Sequence, residues 1–255
     1  MFSNFWKEFL FPPKCPGCGD VHDMGGYGFC ARCVKTVVPV REPSCKRCGK
    51  KLKSAEEEYC GECRSIRHFF RQNKAAVVYS GAAKQAMYAF KYGNARWIGD
   101  YFAKKLVEEH REWIRLRRPA RIVPVPMYRK KERERGYNQA EILATKLAKW
   151  IRHYCNEMEI PVVRAVERTI PTQPQKQLSH EVRRKNLKKA FKMNENVVEL
   201  ESVYSDRETA SFSCVLLVDD IYTTGATLDA ISELLIRAKY TKEVVCMTAV
   251  VGQNL

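Results

Sequence analysis

Val215-Leu216-Leu217-Val218-Asp219-Asp220-Ile221-Tyr222-Thr223-Thr224-Gly225-Ala226-Thr227 reads as a strand, a turn and the opening of a helix. Four consecutive apolar residues fit a strand buried on both faces, and two carboxylates follow at its carboxyl end. Thr223, Thr224, Gly225, Ala226 and Thr227 are small or hydroxylated. They lead into a helix whose apolar positions are Leu228, Ile231, Leu234, Leu235 and Ala238. Free N–H groups and the helix dipole at such a terminus bind an anion such as a monophosphate. Asp219 and Asp220, just before the loop, are placed to accept the hydroxyls of a sugar carrying that phosphate. Taken alone, an acidic pair after a strand serves equally well as a solvated strand end, and T-T-G-A-T as an ordinary helix cap. The order of the parts is what makes a phosphate-and-sugar reader.

Around this stretch the pattern alternates between strands and helices. Strands are expected at 75–79, 121–125, 162–166, 215–218 and 243–250. Helices are expected at 84–92, 95–116, 138–154, 180–189 and 226–237. Such alternation implies an α/β domain around a mainly parallel sheet flanked by helices, with ligands beyond the carboxyl ends of the strands. Residues 197–213 carry no motif. The stretch 169–179, with three glutamines and two prolines, reads either as a loop closing over the site or as a linker.

Eight of the eleven cysteines form four C-x-x-C pairs: Cys15 and Cys18, Cys30 and Cys33, Cys45 and Cys48, Cys60 and Cys63. Gly19 and Gly49 follow the first and third pairs, so the true repeat is thirty residues. A glycine there adopts positive φ and lets backbone N–H groups turn toward the thiolates, while four thiolates complete a tetrahedron around zinc. Two structural zinc ions are expected, in a small double zinc ribbon over residues 14–66. The thirty-residue repeat favours pairing in chain order, and an interleaved pairing stays open. Four thiolates leave no open coordination position, so these ions fold the segment and do not catalyse. Cys155, Cys214, Cys246, His153 and His180 read as packing or surface residues.

Residues 1–13 place Phe2, Phe5, Trp6, Phe9 and Leu10 on one helical face before Pro12-Pro13. That segment is expected to pack on the chain's own domains; a membrane anchor of that length would want a basic polar face. It lacks the basic start and cleavage site of a secretory signal, so a cytoplasmic protein is expected. The longest apolar run, 244–251, is too short to cross a bilayer. The 255 residues can bury a full core, which excludes a disulfide-stapled miniprotein. Lys and Arg exceed Asp and Glu by 45 to 29, a formal charge of +16. Two tetrathiolate zinc centres lower it by four to +12 (16 − 4). The excess favours polyanionic partners. Residues 111–135 hold ten basic and three acidic side chains, and 176–192 hold seven and one. With Tyr128, Tyr137 and Phe191 nearby as stacking aromatics, single-stranded DNA is a candidate partner.

The thirteen-residue stretch resembles the signature of type I phosphoribosyltransferases, which bind phosphoribosyl pyrophosphate (PRPP). Further segments narrow the resemblance: Val123-Pro124-Val125-Pro126, Arg129, Arg135-Gly136-Tyr137-Asn138-Gln139-Ala140, Phe90-Lys91-Tyr92, and Thr172, Gln175, Leu178, Arg183, Asn186 and Ala190-Phe191. These, with cysteine pairs behind a Phe-Pro-Pro segment, are similar to the ComF family of competence proteins over nearly the whole chain. Tyr137 stands where phenylalanine is usual.

The resemblance implies a phosphoribosyltransferase-like domain over residues 75–255, taking PRPP with Mg²⁺. Asp219 and Asp220 would hold the ribose hydroxyls and Thr223 to Thr227 the 5′-phosphate. Arg129, Lys130, Lys131, Arg133 and Arg135, in a loop after a strand, are suited to neutralising pyrophosphate, as is Lys91. Read without the resemblance, that charge-mixed loop is as readily a solvated helix start. The candidate catalytic residues are Asp219, Asp220, Lys91 and Arg135, and the candidate ligand-binding residues add the threonine loop, Arg129 and Lys130. The implied role is natural transformation and single-stranded DNA handling, alongside other competence or recombination proteins. Phosphoribosyl transfer would go to an acceptor the residues do not name; the alternative is a non-catalytic protein that binds single strands or senses PRPP.

Overall fold

The computed structural model describes residues 14–21, 28–170, 187, 189–202 and 212–253. The expected helix over 1–13, most of that over 180–189, the stretch 171–179, and Thr172, Gln175, Leu178, Arg183 and Asn186 lie outside the described residues.

Two short helices, α1 (Ala31–Val34) and α2 (Gly61–Ser65), each follow the first cysteine of a C-x-x-C pair. Then come β1 (Asn73–Val78), α3 (Gly81–Tyr92), α4 (Ile98–Arg117), β2 (Arg121–Pro124), α5 (Arg129–Arg135) and α6 (Gln139–Tyr154). They are followed by β3 (Val166–Arg168), β4 (Phe191–Met193), α7 (Glu195–Ser202), β5 (Phe212–Tyr222), α8 (Ala226–Arg237) and β6 (Thr241–Val251). The main sheet runs β1-β6-β5-β2, and every pairing in it is parallel. β3 and β4 form a separate antiparallel pair. Among the described residues no helix is long and apolar enough to cross a membrane.

The apolar run 215–218 is buried throughout because both faces of β5 are covered. Leu216, Val218, Val245 and Met247 join the core beneath α3, α4 and α6. Their alternates Val215, Leu217, Val244 and Cys246 join the core beneath α8. Each fully buried aliphatic side chain contributes roughly 1.5–3 kcal/mol. α6 begins at Asn138, whose side chain accepts from Ala140 N at 3.1 Å, and buries Leu143, Leu147 and Ile151.

The two cysteine groups pack on opposite faces of the sheet. Cys15 and Cys33 belong to the α3/α4 core, whereas Cys45, Cys48 and Cys60 belong to the α8 core with Phe70 and Tyr222.

Four expectations need correction. β5 extends to Tyr222, so Asp219 and Asp220 lie inside the strand; its neighbour β6 pairs Asp219 with Thr248 and Tyr222 with Val251. The strand expected at 162–166 is a single parallel bridge from Val162 to Ile122. There the chain leaves the sheet at Arg164, which pairs with Glu132 and Glu141, and strand structure resumes at β3. The basic loop after β2 is mainly helix, α5, closed by Gly136 at φ 81°. Ala238 is exposed as the residue capping α8, while Leu234 is half-buried.

Candidate functional site

Register brings the end of β2 beside the acidic pair: Pro124 stands opposite Val218, and Val125 N donates to Val218 O at 2.8 Å. The next residues of both strands emerge together at the carboxyl edge of the sheet. Asp219 Oδ1 accepts from Asp220 N at 2.8 Å. Lys91, at the end of α3, places its Nζ 2.8 Å from Asp220 Oδ2. Burial, and then the charge of Asp220, push the Asp219 carboxyl up to about 7, with the Asp220 N–H, Lys91 and Arg168 opposing.

Beyond Tyr222 the chain turns through Thr223 and Thr224 to Gly225, the residue before α8, at φ 75°. Ala226 N lies 3.5 Å from Thr224 Oγ1, and Asp229 N donates to Gly225 O at 2.8 Å. The first N–H groups of α8 have no partner within the helix and face the loop. Gly225 is required twice over. Its positive φ disfavours any side chain, and a Cβ there would come within 2.5 Å of Tyr222 Oη. Tyr222 is therefore a buried wedge beneath the loop.

That wedge rests on the second cysteine group. The Lys50 ammonium stands 5.8 Å from the Tyr222 ring, and Phe70 packs edge-on at 6.2 Å. Lys50 itself is buried and pairs with Glu62 at 2.9 Å. His68, whose side chain is wholly buried, links the same group to α8. Its Nε2 lies 3.4 Å from Cys63 Sγ and its Nδ1 2.7 Å from Asp229 Oδ2. Asp229 Oδ1 accepts from Phe69 N at 3.0 Å, so the acidic residue in the first turn of α8 is taken up by the cysteine unit.

The eight cysteines gather as Cys15, Cys18, Cys30, Cys33 and as Cys45, Cys48, Cys60, Cys63, each set with its sulfurs within 4.8 Å of one another. Pairing in chain order is thereby selected over interleaving. A tetrahedron with Zn–S near 2.3 Å requires sulfurs about 3.8 Å apart. The Cys18–Cys30 and Cys48–Cys60 separations are 3.9 and 3.7 Å. Gly19 and Gly49 adopt φ of 80° and 78°, and each donates its N–H to the first cysteine's carbonyl at 2.9 Å. The Cys33 backbone N–H is the chief cause pulling Cys30 down to about 6, while burial pushes Cys33 up to about 12. The two groups are consistent with two structural zinc ions.

The basic candidates divide. Arg135 donates to Gln139 Oε1 at 2.6 Å and stands 5.1 Å from the Tyr92 ring, next to Lys91. Arg129, largely exposed, pairs with Glu167 at 3.2 Å. It lines a cavity of about 280 Å³ with Asn138, Arg164, Glu167, Arg168 and Asn194. Lys130 is exposed on α5. Arg168 is a residue sequence reading passed over. It lies close enough to Asp219 for their charges to interact, is held 5.3 Å from the Phe191 ring, and burial lowers its pKa. The one signal for it was a cation between an apolar run and the glutamine-rich stretch.

The stacking aromatics need correction. Tyr137 and Phe191 are buried, Tyr137 with its hydroxyl donated to Phe90 O. Neither ring is free to meet a base, and Tyr128 is half-buried. The cations of 111–135 are partly neutralised, Arg115 by Glu112 and Arg117 by Glu243. Cys155, Cys214 and Cys246 are buried packing residues, as expected.

Residues 6–64 match the model of the double zinc ribbon domain. Competence protein F of Haemophilus influenzae is 31% identical over 233 residues, covering 89% of this chain and 92% of the relative. The chain belongs to the competence protein F family. The DNA utilization protein YhgH of Salmonella typhimurium is 29% identical over 230 residues, 89% of this chain and 92% of its own. Competence protein ComFC of Bacillus subtilis is 25% identical over 213 residues, 78% of this chain and 74% of its own. The matched segment of this chain contains both cysteine groups.

Proposed function

We propose that this chain is a PRPP- and Mg²⁺-binding protein of the phosphoribosyltransferase type that handles single-stranded DNA during natural transformation. The observation that carries the ligand is the carboxyl edge of β5. There, half-buried carboxylates and a left-handed glycine loop at a helix N-terminus follow one another along the chain, and Lys91 reaches in from α3 to pair with Asp220. The names of the relatives, competence protein and DNA utilization protein, support the process.

In this reading the N–H groups and hydroxyls from Thr223 to Thr227 hold the 5′-phosphate, while Asp219 and Asp220 accept the ribose hydroxyls. Lys91, released from Asp220 as the sugar arrives, faces the pyrophosphate together with Arg135. The carboxylates suit Mg²⁺, a hard cation that takes oxygen donors and neutralises charge developing on pyrophosphate. Transfer breaks the bond from C1 to the pyrophosphate oxygen, whose electron pair leaves with pyrophosphate. A lone pair of the acceptor forms the new bond to C1. The protein's share is positioning and stabilisation of the departing charge.

Calorimetric titration of PRPP with Mg²⁺ into zinc-loaded protein tests this. Saturable binding, abolished in Asp219→Asn/Asp220→Asn while cooperative urea unfolding is retained, is the expected result; no binding by the unaltered protein overturns it. Binding without pyrophosphate release in the presence of candidate acceptors would identify a sensor.

A further inference from the structure

Helix α3 turns Ala83, Ala86, Met87 and Phe90 into the core and the opposite face toward solvent. On that face Lys84, Tyr88 and Tyr92 follow at intervals of four residues and span about 12 Å. Tyr88 and Tyr92 are 68% and 65% exposed, with ring centroids 5.0 Å apart. Beside them an open groove of about 900 Å³ runs between α3, the start of α4 and the first zinc knuckle, lined by Lys14, Gly19, Lys84, Gln85, Tyr88 and Trp97 among others. No carboxylate lines it among the described residues. Beyond Tyr92 stand Arg135 at 5.1 Å from its ring and Lys91 on Asp220. The first four-cysteine group lies at the far end, where Lys14 is an exposed cation and where four thiolates on Zn²⁺ would leave a charge of −2.

Two exposed aromatic faces one helical turn apart, flanked by cations along one line, suit a polyanion whose bases are unstacked. A duplex buries its base faces in its own stack and offers none to a tyrosine. Sequence preference is not expected, because every base has a face to stack. We infer that this groove is the single-strand track of the protein, with bases of single-stranded DNA stacked on Tyr88 and Tyr92 and phosphates against Lys14, Lys84 and Arg135. The track ends at Lys91, beside the sugar-phosphate site. This inference rests on the reading above that the chain handles single-stranded DNA, and it assigns that role to α3 in place of the buried Tyr137 and Phe191.

The test is fluorescence anisotropy of a labelled twenty-nucleotide oligothymidylate with the zinc-loaded full chain. Tyr88→Ala/Tyr92→Ala should weaken binding by about 30-fold or more. Tyr88→Phe/Tyr92→Phe should stay within about threefold, because stacking uses the ring and not the hydroxyl. Lys84→Ala should lower the slope of log affinity against log salt by about 0.7, the loss of one phosphate contact on a single strand. None of these exposed substitutions should move the urea midpoint, and Lys84→Ala should leave the PRPP titration unchanged. Unchanged oligonucleotide binding by the double alanine variant overturns the track and leaves the single-strand reading standing. Failure of the unaltered protein to bind the oligonucleotide at low salt overturns both. Loss of self-association by the alanine variant with oligonucleotide binding intact would assign the groove to a second copy, and would likewise overturn the track.

Discussion

Replacing Gly225 with alanine should destabilise the fold by about 1–4.6 kcal/mol, through two costs and one small gain. Gly225 holds φ 75°, and a left-handed non-glycine residue costs roughly 1–2 kcal/mol. The new Cβ would lie 2.5 Å from Tyr222 Oη and 2.9 Å from its Cζ. Tyr222 is 1% exposed, so the ring has nowhere to go, and overpacking of this kind costs about 1–3 kcal/mol. Against these, alanine restricts the unfolded chain, a gain of roughly 0.4–1 kcal/mol. A double-mutant cycle separates the terms. The Tyr222 hydroxyl is buried with no hydrogen-bond partner among the described residues, so Tyr222→Phe alone should be neutral or stabilising by about 1 kcal/mol. In Gly225→Ala/Tyr222→Phe the closest contact disappears and about 1 kcal/mol should return, while the backbone cost stays. The assay is urea unfolding of the zinc-loaded protein, with PRPP titration of whichever variants remain folded. A Gly225→Ala penalty below about 0.5 kcal/mol, or an additive cycle, would refute the wedge and with it the claim that Tyr222 supports the threonine loop.

Asp219, raised to about 7 by burial and by Asp220, binds a proton more tightly folded than unfolded, where a carboxyl titrates near 4. Native stability should therefore fall as pH rises from about 4 to about 7, and Asp219→Asn should flatten that slope in pH-dependent urea midpoints; a slope unchanged in the variant counts against the assignment. His68→Ala removes one hydrogen bond from the buried Asp229 carboxylate, a loss of about 1.5–3 kcal/mol for a bond to a charged group. Because His68 also reaches Cys63, elemental analysis should find two zinc ions in the unaltered chain, and a chelator should strip one of the two about 10–100-fold more readily from the variant. Equal release of both ions would separate His68 from the second centre.

Much of this protein is local, and local features are legible. The four C-x-x-C spacings are those that a knuckle imposes on its own backbone, so the eight cysteines could be picked out before any fold was known, while their grouping in chain order waited for the structure. The same legibility holds for Gly19 and Gly49, whose positive φ follows from the turns around them. The helices 138–154 and 226–237 were visible in their apolar periodicity. The extent of β5 was not, because aspartate is a poor strand former, and only the eleven-residue neighbour β6 carries the ladder through Asp219 and Asp220.

Local spacing and pattern were enough for the two four-cysteine groups, the α/β class and the acidic pair ahead of a threonine-and-glycine loop, because each depends on residues within a few turns of one another. Tertiary structure alone decided which aromatics are usable. Tyr137 and Phe191 are as aromatic as Tyr88 and Tyr92, and only packing buries the first two and exposes the others. It also decided that His68 meets Asp229 across 161 residues, that Arg168 stands near Asp219, and that the two cysteine groups take opposite faces of one sheet. Such pairings depend on strand order and register, which arise from burial summed over the whole chain and leave no mark in any single stretch of it.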